Sequence, residues 1–262
     1  MAAAVSLKAS QYVPFHLRFS LLCQTSKEPS QWTGPARSRS WNRLLLKKRA
    51  RMGIVKERRR ARVSDGNSVV TEYLVQGFGW GVRRMLEDVD EMRKVADVQA
   101  EAFHSPVAIF NDFFLEIFRA DVFSAVLYRI RNSLPDRYAC LVAESIEDVA
   151  VELAGVVDCT VQRDEDVLRH LQGAEEYLYV SGIAVRTRFR RRKVATVLLR
   201  ACDALSRLWG HRHVVLRAYE DDFAARGLYS QEGYVVVSRD PFWVSWLGRK
   251  RRLLMIKLTH SL

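Results

Sequence analysis

Val194, Val197, Leu198, Ala201, Leu205, Leu208 and Trp209 recur at three- and four-residue steps and draw one apolar helix face that stops at Gly210. Ahead of them, Tyr177, Leu178, Tyr179, Val180, Ile183, Ala184 and Val185 are apolar on both alternating faces, as a central strand covered by helices on both sides requires. Further β-like runs lie at 82–86, 137–143, 150–162 and 213–219, with two closing strands near Tyr234 and Leu253. A helix is expected over 88–103, where Val89, Met92, Ala96 and Phe103 follow helical spacing and Asp88 and Asp90 favour the positive N-terminal end. A second helix covers 111–132, and Pro135 bars its continuation. A third covers 222–232 and ends at Gly233. Asp164 to Asp166 and Gly173 fall in a long connection between strands. Helices and strands alternate, which gives one α/β domain beginning after the breaker cluster Asp65, Gly66, Asn67 and Ser68.

Composition narrows the class. At 262 residues, 48% hydrophobic and 27% charged, the chain reads as globular, neither fibrous nor disulfide-stapled. The most apolar stretch, 107–130, carries Asp112, Glu116, Arg119, Asp121 and Arg129, so it does not make a transmembrane span. Cys23, Cys140, Cys159 and Cys202 sit singly, with no CxxC or Cys/His spacing for zinc, and read as ordinary buried thiols; no metal is expected.

The formal charge of +12 is unevenly placed. Residues 1–62 hold fifteen Lys and Arg against two acids, whereas the rest holds 27 bases and 28 acids. The opening forty residues are serine-rich and acid-poor and show no apolar periodicity, the composition of an organelle transit peptide. Only Lys8 precedes Arg18, which favours the plastid stroma over the mitochondrion. The basic stretch 47–62 reads first as the end of that segment and second as a nuclear-localisation or nucleic-acid patch. The expected division is therefore a disordered transit peptide and basic linker over 1–62 and a folded domain over 63–262.

The chemistry concentrates at 183–199, IAVRTRFRRRKVATVLL: a buried strand, a loop dense in arginine and an amphipathic helix. A loop feeding a helix N-terminus gathers unpaired N–H groups and about half a positive charge, which suits a pyrophosphate. Here the sequence resembles the GNAT superfamily of acetyl-CoA-dependent acetyltransferases, whose phosphate loop reads [R/Q]xxGx[G/A]. Arg190, Arg191, Arg192, Lys193, Val194 and Ala195 fill that register, with Lys193 in place of the glycine. Lys193 either widens the loop or keeps its backbone path and adds a phosphate-facing cation. Downstream, DFAARGLYSQEGY (222–234) resembles the family's NxxAxxLYxxxGF at Ala225, Leu228, Tyr229 and Gly233, with Asp222 for the asparagine and Tyr234 for the phenylalanine.

The resemblance covers roughly 80–262 and implies a GNAT fold: a mixed, mostly antiparallel twisted sheet with one splayed parallel strand pair, flanked by helices. It implies that pantetheine pairs with the backbone of Ile183, Ala184 and Val185 and that amides from Arg191, Arg192, Lys193, Val194, Ala195 and Thr196 hold the pyrophosphate. Asp222, Phe223 and Ala224 then flank the cofactor from the other side. Tyr229 is the implied general acid, since a phenol of pKa about 10 can protonate a leaving thiolate. A backbone N–H near Ile183 is the implied oxyanion donor.

The base is less defined. A lysine of pKa about 10.4 is neutral only about once in a thousand molecules at neutral pH, whereas an α-amine near 7.8 is often neutral. Tyr179 occupies the offset at which some family members hold a proton-accepting water, and reads equally well as a packed strand aromatic. Arg217 stands where some protein acetyltransferases use a histidine, and His104, His170, His211 and His213 read as surface or satisfied residues.

The resulting expectation is an enzyme moving acetyl from acetyl-CoA, its co-substrate, to protein or peptide amines in the plastid by direct attack, with no nucleic-acid or membrane partner. The import segment and family order resemble plant plastid members that modify protein N-termini and lysine side chains. The rival readings are a catalytically silent acetyl-CoA-binding regulator, motivated by Lys193 and Asp222, and a nuclear histone or small-amine acetyltransferase. No oligomeric state follows from the sequence.

Overall fold

The computed structural model describes residues 72–103, 111–147 and 152–259. The transit-peptide and linker assignments over 1–62, the start of the domain at 63, Cys23 and His104 lie outside the described residues.

Among the described residues, eight strands form one sheet in the order β1-β2-β3-β4-β5-β6-β8-β7. These are β1 (Val75–Gly77), β2 (Trp80–Arg84), β3 (Tyr138–Ser145), β4 (Leu153–Gln162), β5 (Tyr177–Val185), β6 (His213–Tyr219), β7 (Val235–Arg239) and β8 (Arg252–Leu258). Every pairing is antiparallel except β5 with β6. The helices are α1 (Val89–Phe103), α2 (Asn111–Asn132), α3 (Glu165–Leu168), α4 (Val194–Trp209), α5 (Phe223–Gln231) and α6 (Trp243–Trp246). The mixed α/β architecture expected from the sequence is therefore present. Strand β1 and the one-turn helices α3 and α6 are additions that periodicity did not announce, because three or four residues carry less than one full repeat.

Alternation along β3 shows how the sheet is covered. Ala139, Leu141 and Ala143 enter the core beneath α4, while Tyr138, Cys140 and Val142 enter the core beneath α1 and α2. The apolar stripe of α4 is the reason: Val194, Val197, Leu198, Ala201 and Leu205 are all at most 1% exposed. Cys140, Cys159 and Cys202 are buried free thiols, and Cys159 lies 3.5 Å from Cys202, Sγ to Sγ, beneath α4. Burial raises the Cys140 thiol well above its ordinary pKa, so it is kept neutral and unreactive. A buried ion cluster ties β2 to its neighbours: Arg83 donates from Nη1 to Glu91 of α1 at 2.5 Å and from Nη2 to Glu144 of β3 at 2.8 Å.

Two irregularities shape the centre. Between Val156↔Ala184 and Asp158↔Ser181, β4 contributes one residue and β5 two, so β5 carries a bulge at Gly182 and Ile183. The bulge reverses the side-chain alternation. Leu178 and Val180 face the α4 core before it, and Ile183 and Val185 face that core after it. Gly182 takes φ +63°, which a glycine adopts without steric penalty. Beneath it lies the buried Asp158 carboxylate, which accepts hydrogen bonds from Gln99 Nε2 (2.9 Å), Tyr138 Oη (2.8 Å) and Arg129 Nη1 (3.3 Å). Residues from α1, α2 and β3 therefore converge under the bulge.

Candidate active site

Strands β5 and β6 share only three rungs, Leu178↔Val214, Tyr179↔Val215 and Val180↔Leu216. Both strands then run on, to Val185 and Tyr219, without pairing, which leaves a slot lined by unladdered backbone. Ile183, Ala184 and Val185 lie on the β5 wall of this slot, beyond the bulge. Ala184 and Val185 pair on their other side with Val156 and Gly155 of β4, so an added strand would meet their β6-facing edge; the Val185 carbonyl also accepts from Arg190 Nε at 3.3 Å.

The loop from β5 to α4 begins with a 3-10 turn, Thr187–Phe189. Its entry is fixed by Glu101 of α1, which accepts from Thr187 N–H at 2.7 Å and from Arg186 Nη1 at 3.0 Å. Arg188 pairs with Glu152. The exit is fixed by Trp80 of β2, whose Nε1 donates to the Arg192 carbonyl at 2.8 Å while its ring meets Phe189 edge-on at 5.4 Å.

Arg191 and Lys193 both adopt left-handed backbone, with φ of 64° and 65°. Lys193 therefore keeps the backbone path that a glycine would take, and the loop is not widened there. Among the described residues no side chain caps α4 at Lys193, so its first N–H groups keep their donor capacity. Arg191, Arg192 and Lys193 are exposed, whereas Val194 and Thr196 bury their side chains and can meet a ligand only through backbone.

The left-handed lysine gives a stability prediction. A non-glycine residue there is strained by about 1–2 kcal/mol, and glycine forfeits about 0.5–1 kcal/mol through its freer unfolded chain. Lys193→Gly is expected to stabilise the protein by about 0.5–1 kcal/mol and Lys193→Val to destabilise it, both read from denaturant midpoints.

Across the slot, α5 begins at Asp222, whose side chain accepts from Ala225 N–H at 2.9 Å and so caps the helix. Phe223 and Ala224 are exposed at this end. Tyr229 is the one buried residue of α5, 7% exposed, and its ring meets that of Tyr234 edge-on. Burial, followed by the Asp222 carboxylate, pushes the Tyr229 phenol up to about 12. Cys202 and Tyr179 contribute smaller effects in the same direction. Tyr179 is half-buried on β5 and packs with Tyr177 on the face away from α4. Asp222→Ala should cost about 1 kcal/mol of stability through the lost cap. Asp222→Asn should keep most of the stability and lower the Tyr229 pKa, followed by ultraviolet titration of tyrosine ionisation.

The acetyltransferase (GNAT) family model matches residues 104–234. GCN5-related N-acetyltransferase 10, chloroplastic, of Arabidopsis thaliana is 56% identical over 200 residues, covering 74% of this chain and 78% of that protein. The chain belongs to the GNAT acetyltransferase family. It is an N-acetyltransferase. Among solved structures, PH1933 of Pyrococcus horikoshii is similar in fold, with TM-score 0.50 at 14% identity over 70% of this chain and 99% of that one. A NatC complex bound to a Gag peptide and CoA gives TM-score 0.49 at 12% identity over 69% of this chain and 99% of that one.

The residues of this GNAT enzyme fit a coenzyme A thioester. The uncapped start of α4 and the two left-handed loop residues aim backbone donors outward, as a diphosphate requires, and the open β5 edge offers a ladder for an amide-bearing arm. Sequence reasoning did not single out Trp80, Glu101, Gly155 or Gly182. Trp80 sits in FGWG and Gly182 interrupts an otherwise apolar strand, both readable as signs of close backbone approach or a bulge. Glu101 had no local signal, because its partners are 85 and 86 residues away. His213 is buried, and its Nδ1 finds no partner among the described residues. Burial, then Arg212, lowers its pKa.

Proposed function

We propose that this enzyme transfers acetyl from acetyl-CoA to protein amines, N-terminal α-amines and lysine ε-amines, in the plastid by direct attack without a covalent enzyme intermediate. The observation that carries the reading is the unpaired β5–β6 slot, with Tyr229 buried on the α4 side and Tyr179 half-buried on the opposite side. The chloroplastic relative at 56% identity supports the compartment.

Bound acetyl-CoA supplies an activated acetyl thioester, and the chain's own groups do the rest. Amides from Arg191 to Thr196 hold the diphosphate, and the β5 backbone over 183–185 aligns the pantetheine. A main-chain N–H at Ile183, turned by the bulge, meets the negative charge developing on the acyl oxygen. Tyr229 presents its O–H to the departing sulfur. A phenol raised to about 12 is a weaker acid than an ordinary tyrosine, but it is fully protonated wherever the amine reacts. Tyr179 orients the water that receives the amine proton.

The two departures from the family pattern do not favour a silent regulator. Lys193 takes the left-handed conformation, and Asp222 caps α5 as an asparagine can. The test offers the full chain acetyl-CoA and a peptide library carrying free α-amines or internal lysines, reading thiol release and peptide mass together. Acetylated peptides with matching CoA release are expected. Tight acetyl-CoA binding with no acetylated peptide would overturn the reading.

A further inference from the structure

Arg217 is the first residue of β6 beyond the last rung shared with β5. Its neighbours Leu216 and Ala218 belong to the core beneath α4, so its side chain projects to the opposite face, where Tyr177 and Tyr179 lie. The α4 loop is assigned to the diphosphate, which leaves this face for the acceptor. The Arg217 side chain is 21% exposed, and its ion-pair partner Asp240 stands 3.7 Å away, beyond hydrogen-bond range. That carboxylate is already engaged by Arg252, through its backbone N–H at 3.0 Å and Nε at 3.3 Å.

The arrangement repeats one step outward. Glu220, just past the end of β6, is shared by Arg239 at 3.4 Å and Arg251 at 3.1 Å. Two carboxylates are therefore divided among four guanidinium groups, while Lys250 and Asp221 neutralise each other. This leaves positive charge at the mouth of the slot, in a chain whose residues 63–262 hold 27 bases against 28 acids.

We infer that this guanidinium cluster, with Arg217 nearest the slot, reads carboxylates on the acceptor, so that the preferred substrates are peptides with Asp or Glu directly after the reacting amine. The inference rests on the protein-amine reading above. An extended peptide advances about 3.3 Å per residue, so the second and third residues of an acceptor fall within reach of an arginine side chain beside the slot. A guanidinium also presents paired donors to a carboxylate and cannot lose its proton, so the role is recognition and not proton transfer.

The experiment uses the full chain, acetyl-CoA and peptides matched except at the second and third residues: acidic, neutral or lysine. Acidic peptides should show kcat/KM about tenfold above neutral ones at low salt, as expected for a charge-assisted hydrogen bond, and the ratio should shrink severalfold in high salt. Arg217→Gln should bring the ratio to about one, Arg217→Lys should restore part of it, and Arg217→Glu should invert it toward the lysine peptides. Equal turnover of acidic and neutral peptides by the natural protein overturns the inference, and so does an acidic preference that survives Arg217→Glu. Equal peptide turnover together with binding to anionic phosphatidylglycerol vesicles that is lost in Arg251→Glu would assign the cluster to lipid instead. Because the salt dependence is measured on the natural protein, the inference stays testable if a variant misfolds. Acetylation of small amines with no peptide acetylated would sink the underlying reading, an outcome separable from an unbiased peptide preference.

Discussion

Tyr229→Phe is expected to lower kcat by about a hundredfold while leaving acetyl-CoA affinity nearly unchanged. The substitution removes one oxygen and keeps the ring that packs against Tyr234 within the α4 core, so the loss should fall on the proton and not on the fold. Steady-state kinetics with titration calorimetry separates the two. Unaltered turnover would remove Tyr229 from the mechanism. The pH dependence follows in sign: with the phenol raised to about 12, the proposed proton donor is intact across the whole range in which amines lose their protons. The kcat/KM profile should therefore rise with acceptor deprotonation and show no falling limb from this group below about pH 10. The same shift makes the fold alkali-sensitive. A tyrosine whose folded pKa is raised contributes stability that is complete below its unfolded value near 10 and is lost as pH climbs toward 12. Tyr73, raised to about 12 by burial first and then by its hydrogen bond to Glu144, adds to that window.

Gly155→Val is expected to produce the largest loss of stability, about 3 kcal/mol or more, and to raise KM for acetyl-CoA. A Cβ on Gly155 would lie 2.9 Å from the Ala184 carbonyl, 3.0 Å from Val194 Cγ1 and 3.1 Å from Leu198 Cδ1. The first is backbone of the slot wall and the other two lie in the opening turns of α4, so relief of the clash must move the pieces proposed above to hold the thioester and the diphosphate. Gly173→Ala is the control: φ is +65° but no atom lies within 4 Å of the added carbon, so only conformational strain of about 1 kcal/mol is expected. Denaturant unfolding of the two variants measures the difference. Similar losses would show that crowding beneath α4 is not what makes Gly155 necessary.

Much of this was legible in the residues themselves. The stripe from Val194 to Trp209 and the two-sided apolar run from Tyr177 to Val185 define α4 and β5 with the observed bounds, because long amphipathic repeats survive any tertiary context. Strand β6 and helix α2 also fall where the pattern put them. The arginine-dense loop assigned to the diphosphate stands out in the sequence, but its conformation does not: nothing local says that Lys193 would accept a left-handed backbone. The anchors were hidden for another reason. Trp80 reaches the Arg192 carbonyl across 112 residues, and such a contact leaves no periodic trace. The Tyr229 pKa was read from the sequence as that of an ordinary phenol. Burial, which composition cannot supply, moves it to about 12. The charge count of 63–262 likewise concealed Arg217 and its neighbours, since a sum near zero says nothing about clustering.

The extra residue at Gly182 has one more effect. Beyond it β5 is out of phase with β6: Ile183 and Val185 turn toward the α4 core, and the two strands share no rung past Val180 and Leu216, so the slot stands open in the protein without a ligand. Preorganisation of this kind lets binding energy go toward holding the substrates instead of breaking rungs. Excision of that single residue would restore the phase and is expected to weaken acetyl-CoA binding, measured by titration calorimetry.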